Sequence, residues 1–148
     1  MVQEYIVDAS VLIQGFMRDT DTLRVLTLLN HLFDPQPAVL HIPEFCLLEC
    51  ANILWKQAQF HNTPLANVQK SLDSLIATPV TIQPIIPLLP RALTIGVQHN
   101  LAVYDSLYLA LGESLKHPLI TVDLRQAAAA SALGVALKSL SDFPEFIS

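Results

Sequence analysis

Basic residues are scarce in this chain: 8 Lys and Arg stand against 13 Asp and Glu in 148 residues, a formal net charge of −5. That balance argues against a protein that holds nucleic acid through a broad basic surface, but not against an enzyme whose bound cations meet the phosphate. Cysteine is nearly absent. Cys46 and Cys50 stand i,i+4 on a predicted helix. They read as small apolar packing groups in a reducing, cytoplasmic compartment rather than as a disulfide. Two thiols are also too few for a thiolate metal centre. No apolar run reaches the roughly 18 residues a membrane helix needs, so no membrane partner is expected. The first residues carry Glu4 and Asp8 and no basic segment, unlike a signal peptide. There is no internal repeat, low-complexity stretch or long linker, so residues 1–148 read as one domain. The five histidines have no mutual spacing that suggests a metal site and read as surface or loop residues. The single Trp55 reads as a core residue.

What the chain does have is apolar residues, 52% of the total, in short alternating patterns. Residues 4–8 read as a strand and 9–17 as helix. Thr20 or Asp21 can cap a helix to about Phe33, with Leu23, Leu26, Leu29, Leu32 and Phe33 on one face. Residues 38–42 read as the second strand, and Pro43 is placed to open the next helix, with Glu44 at its positive end. That helix carries Leu47, Leu48, Ala51, Leu54, Trp55 and Ala58 and fades near His61. A helix from Thr63 and Pro64 to about Ala77 follows, then a strand at 80–83 and helices at 87–99 and 104–116. A strand at 119–122 ends in Asp123, an alanine-rich helix from Arg125 stops at Gly134, and 135–137 reads as a last short strand. The alternation predicts an α/β/α sandwich with a central, mainly parallel sheet.

Four acids stand in apolar surroundings: Asp8, Glu49, Asp105 and Asp123. An ionised carboxylate is costly to bury without a partner. Few Lys or Arg residues lie near these four in sequence, so a fold that brings them together calls for a cation, and a divalent metal is the economical one. Asp8 and Asp123 fall at carboxyl ends of predicted strands, where open α/β sheets bind ligands. Each acid also has a plainer reading. Asp8, Asp105 and Asp123 can cap the helices that follow them, and Glu49 can be a boundary residue reaching solvent.

Four segments carry a resemblance: Ile6, Val7, Asp8, Ala9, Ser10; then Ile42 and Pro43 through Leu48, Glu49, Cys50, Ala51, Asn52; then Tyr104, Asp105, Ser106, Leu107, Tyr108, Leu109, Ala110; then Leu119, Ile120, Thr121, Val122, Asp123. In this order and spacing the chain resembles the PIN domain family, nucleases that include the VapC toxins of toxin–antitoxin pairs. The resemblance implies a parallel sheet with the acids gathered at one edge and Mg²⁺- or Mn²⁺-dependent cleavage of RNA. By it, Asp8, Glu49, Asp105 and Asp123 are the catalytic acids, and Ser10, Asn52 and Thr121 are polar neighbours of the site.

The chemistry of the residues agrees. Hard cations take carboxylate oxygens, and such ions activate water and stabilise the leaving oxygen in phosphodiester hydrolysis. Asp8, Asp105 and Asp123 are expected to hold the metal, with Glu49 holding metal or orienting the attacking water. Ser10 and Thr121 are expected to donate to the carboxylates or to phosphate. The functional expectation is a metal-dependent endoribonuclease acting as the toxin of a pair, with RNA as substrate, an antitoxin protein as partner and a homodimer as assembly. A housekeeping nuclease and a catalytically silent PIN-fold scaffold are the alternatives. A phosphoryl-transfer enzyme of another α/β family ranks last, since Ser10 stands where such a site has a second Asp.

Overall fold

The short apolar runs pair into a sheet, described for residues 2–148 in the computed structural model. Strands β1 (Glu4–Val7), β2 (Val39–Pro43), β3 (Thr81–Gln83) and β4 (Leu119–Ile120) lie in the order β3-β2-β1-β4. Every pairing is parallel, with Ile6 in register with His41 and Leu119, and His41 with Thr81. Ile6, Val7, Leu40, Ile42, Leu119 and Ile120 are buried completely. Such burial is what a parallel sheet covered on both faces demands, and it explains why these strands read as continuous apolar runs.

Around the sheet, among the described residues, run α1 (Ala9–Leu12), α2 (Thr22–Asn30), α3 (Cys46–Phe60), α4 (Leu65–Ala77), α5 (Leu89–His99), α6 (Val103–Leu115) and α7 (Leu124–Leu133). The architecture is the expected α/β/α sandwich. Parallel pairing puts all strand carboxyl ends along one edge. Asp8 follows β1 directly there, and Thr121 follows β4. Helix α6 packs on β1, β2 and β4, and α3 lies against α1 and α4. The core joins β1, β2 and β4 to Val25, Leu28, Cys46, Cys50, Leu54, Leu75, Ile95 and Leu109. Both cysteines are free and buried, and contact with Cys46, then burial, pushes the Cys50 thiol up. They pack as apolar groups.

Several local expectations shift. Pro43 does not open α3; it ends β2 in register with Gln83, and the next N–H, that of Glu44, donates to the Gln83 carbonyl at 2.9 Å. The sheet ladder thus outlasts Pro43, and the helix waits until Cys46. Asp21 precedes α2 but caps nothing with its side chain; Thr22 Oγ1 instead accepts from the Asp19 N–H at 2.8 Å. Helix α2 buries Val25, Leu28 and Leu29, followed by Leu32, while Leu23 and Phe33 are exposed. The buried set follows i, i+3, i+4, i+7, whereas strict steps of three drift off a 3.6-residue face. On α3 the buried stripe is Cys46, Cys50 and Leu54; Leu48 points to solvent. Trp55 is half exposed and stacks edge-on against exposed Phe60 rather than entering the core. The last strand is reduced to one bridge, Leu119 with Leu137, because β4 itself has only two residues to offer.

Two glycines matter to the frame. Gly134 ends α7 at φ 75°, a left-handed cap. Gly96 lets α5 approach the turn into α6: a Cβ there would lie 2.8 Å from the Leu101 carbonyl oxygen and 3.2 Å from Ser106 Oγ. The same turn is closed by the Leu101 N–H donating to the Gly96 carbonyl at 3.0 Å. Replacing Gly96 by Ala gains about 1 kcal/mol of helix propensity, but the clash is with backbone and cannot be relieved by rotating a side chain. A net loss of about 1–2 kcal/mol is expected from overpacking. Urea denaturation of Gly96→Ala measures it, and an unchanged midpoint would show that α5 and α6 are not in close contact here.

Candidate active site

Asp8 occupies the end of an interior strand and is 5% exposed. Its backbone is extended (φ −84°, ψ 167°), and its side chain caps α1. One oxygen, Oδ1, accepts from Ser10 Oγ at 2.8 Å and from the Val11 N–H at 3.1 Å. The other, Oδ2, accepts from Thr121 Oγ1 at 2.8 Å. Burial pushes this carboxyl up to about 6 from its ordinary 3.8. The three hydrogen bonds oppose that rise, and the negative charge of Asp123 adds to it.

Thr121 has a double role. Its hydroxyl donates to Asp8 and accepts from the Asp123 N–H at 3.0 Å. Asp123 in turn caps α7, its Oδ1 accepting from the N–H groups of Arg125 at 2.9 Å and Gln126 at 3.1 Å. For Asp8 and Asp123, then, capping and membership of an acid cluster are not alternatives: one residue does both. Asp105 differs. It lies in the first turn of α6 behind Ala102 at the cap position, so the capping reading does not hold for it. Burial raises its carboxyl first, Asp123 adds to the rise, and Arg125 opposes it. The Arg125 guanidinium itself donates to the Asn100 carbonyl.

Glu49 comes from the opposite helix, in the first turn of α3. It does not simply reach into solvent: Tyr108 donates its hydroxyl to Oε1 at 2.7 Å. Burial raises the Glu49 carboxyl, and Asp105 and Asp8 raise it further. The four acids therefore feel one another across three elements and a strand end. None of them forms an ion pair with Lys, Arg or His among the described residues. No three of them bring ligand atoms within 4.8 Å of one another, in keeping with the repulsion of like charges.

Asn52 is exposed and lines, with Phe45, Leu48, Glu49 and Tyr104, an open cleft of about 390 Å³ beside the acids. A larger recess lined by Gly15, Phe16, Asn67, Lys70, Ser71 and Ser74 carries no carboxylate. Two residues passed over in the sequence support the site. Tyr108 stands three positions after Asp105 and so shares its helix face; its phenol, raised first by burial, stays protonated as a donor. Gln126 stands three after Asp123, the spacing of a capping box, but its buried amide donates to the Asp105 carbonyl at 3.0 Å and leaves Oε1 without a partner. That amide joins α7 to α6.

A family model described as the PIN domain matches residues 5–132. Ribonuclease VapC9 of Mycobacterium tuberculosis is 29% identical over 120 residues, covering 81% of this chain and 86% of that protein. Among solved structures, PAE2754 of Pyrobaculum aerophilum superposes with a TM-score of 0.73 at 24% identity over 95% of this chain and 85% of its own. VapBC2 of Rickettsia felis, solved bound to a DNA fragment from its promoter, gives 0.63 at 14% identity over 93% of this chain and 98% of its own.

The raised Asp8 carboxyl has a consequence for stability. Folded, it holds its proton up to about pH 6; unfolded, it releases it near 3.8. Between those values the folded state binds the extra proton, so unfolding free energy falls as pH rises through the window and stays lower above it. That rise corresponds to roughly 3 kcal/mol of destabilisation in ion-free protein at neutral pH. Asp8→Asn is expected to recover on the order of 2 kcal/mol of this at about pH 8 and little at about pH 4. Urea denaturation in EDTA at both pH values tests this; a variant weakened equally at both would show that the carboxylate is unstrained.

Proposed function

The chain belongs to the PIN domain family, and from that membership we propose that it is a metal-dependent ribonuclease of the VapC toxin type. The observation that carries the reading is the gathering of Asp8, Glu49, Asp105 and Asp123 at one sheet edge with no cationic side chain paired to them. The donor set fits a hard divalent cation: ionised carboxylates are acceptor-only, and the Asp105 carboxylate and Asp123 Oδ2 receive no hydrogen bond from the described residues. Asp8, Asp105 and Asp123 would hold Mg²⁺ or Mn²⁺. When bound, the ion supplies Lewis-acid stabilisation of charge on the phosphate oxygens.

The protein's own groups do the rest. Thr121 and Ser10 hold Asp8 in one rotamer, so its oxygens would be ordered before an ion binds. Tyr108 holds Glu49 at the mouth of the cleft. The raised Glu49 carboxyl orients the attacking water and takes its proton. RNA would enter at that mouth, and in a chain of charge −5 a cation held by Asp8, Asp105 and Asp123, rather than a basic surface, would offset the phosphate charge. Partners carried with this reading are an antitoxin protein and a second copy of the chain. The antitoxin is supported by the VapBC2 likeness and by exposed Leu48 and Tyr104 at the cleft rim.

Incubation with a panel of structured and single-stranded RNAs tests the activity. Cleavage is expected with Mg²⁺ or Mn²⁺ and not with EDTA, and Asp8→Asn or Asp105→Asn should lower the rate about 100-fold or more. Cleavage that survives EDTA or either substitution would sink the reading. Calorimetry tests the support of the site: Thr121→Val removes the donor to Asp8 and the acceptor of the Asp123 N–H, so Mn²⁺ affinity should fall about 10–100-fold. Equal affinity would mean that Thr121 does not orient the acids.

A further inference from the structure

The far end of β1 carries a second cluster of ligating side chains, unlike the first in chemistry. His41 lies on β2 and is 7% exposed, whereas the sequence reads the histidines as surface or loop residues with no spacing for a metal site. Its Nε2 is 2.9 Å from Glu4 Oε1, and its Nδ1 is 3.1 Å from the Gln83 side-chain amide. His117 brings its own Nε2 to 3.4 Å from the second oxygen, Glu4 Oε2. The two imidazoles are parallel, 5.8 Å between centroids and 5° between planes. One ligand atom from each of Glu4, His41 and His117 lies within 4.8 Å of the other two.

We propose that Glu4, His41 and His117 form a second metal site, one that takes a Zn²⁺-class ion, with Gln83 as the residue that positions His41. Two imidazoles and one carboxylate are a known three-ligand set for Zn²⁺ that leaves a fourth position open. Nitrogen donors also select against Mg²⁺, which takes oxygen. Both histidines turn the same nitrogen toward one carboxylate, and each meets a different oxygen of it. A carboxylate that merely accepted from one buried histidine would not require the second. The frame is rigid. Glu4 and His41 are on adjacent strands. His117 follows the left-handed Lys116 (φ 58°), and the next residue, Pro118, is fastened to β1 by the Ile6 N–H donating to its carbonyl at 2.8 Å. Side-chain exposures of 33% for Glu4 and 32% for His117, against 9% for His41, leave the first two reachable from solvent and the third buried.

As placed, the Gln83 Nε2 group donates to His41 Nδ1, so the ring proton lies on Nε2 toward Glu4. For His41 Nε2 to bind an ion, its ring proton must sit on Nδ1, and the Gln83 amide must present its oxygen there. A half-turn of the amide does this without change of shape. Asp8 stands four positions beyond Glu4, roughly 13 Å along an extended strand, so the site stands apart from the acid cluster and does not rest on the ribonuclease reading.

The test uses metal alone. Zn²⁺ and Co²⁺ are titrated into Asp8→Asn protein, which lacks a ligand of the acid cluster, by calorimetry and, for Co²⁺, visible absorption. One equivalent of Zn²⁺ is expected, with a Co²⁺ ligand-field band and no uptake of Mg²⁺ at this site. Adding His117→Ala or Glu4→Gln should weaken Zn²⁺ binding at least about 100-fold and remove the band; adding Gln83→Ala should weaken it about 10–100-fold. All three positions are partly exposed or at an edge, and circular dichroism checks that each variant folds. Uptake of no Zn²⁺, or Zn²⁺ binding unchanged by His117→Ala and Glu4→Gln, would overturn the proposal and leave a hydrogen-bonded network only.

Discussion

A carboxylate held in the protein interior at the end of an interior strand is the constraint on which this structure turns. Asp8 is placed where β1 leaves the sheet, and three donors from two parts of the chain converge on it. Those bonds start α1 and join β1 to the segment after β4, whose two residues could not by themselves hold the edge of the sheet. They do not neutralise the charge. Burial still outweighs them, which is why the carboxyl remains raised. A fold that keeps such a group has given up stability for a charged site, a pattern common where chemistry is done.

The other acids are brought to that point by helices rather than strands. Helix α6 delivers Asp105 and, one turn on, Tyr108, whose hydroxyl reaches across to Glu49 on α3. Gln126 joins α7 to the backbone of Asp105. The close approach at Gly96 seats α5 against the start of α6. The acid cluster is therefore positioned by contacts among α3, α6 and α7, while Thr121 couples Asp8, at the end of β1, to Asp123, the cap of α7.

The two ends of β1 sort donors by type. At the carboxyl end stand oxygens alone, suited to a hard cation that meets phosphate. At the amino end stand two imidazoles and a carboxylate, suited to a softer one. Hydrogen bonding from His41 holds the Glu4 carboxyl below its ordinary value, the reverse of Asp8, because Glu4 is partly exposed beside two imidazoles whereas burial dominates at Asp8.

Much of this was legible in the amino-acid order. Local periodicity located the main helices and strands, the alternation implied a parallel sheet, and parallel pairing implied that Asp8 and Asp123 would end near one edge. Those features depend on residues a few positions apart, and the sequence states them directly. Which face of α2 and α3 is buried, where Trp55 points and whether Pro43 belongs to strand or helix depended on the neighbouring layer. Gln83 accepting from the N–H after Pro43 is such a case. The partners of the site residues were further out of reach. Tyr108 meets Glu49 across 59 positions, Thr121 meets Asp8 across 113, and His41 meets Glu4 across 37. The sequence by itself determined the elements and the four acids; only the tertiary structure decided what each acid touches, because hydrogen bonds and desolvation arise between residues that chain order does not make neighbours.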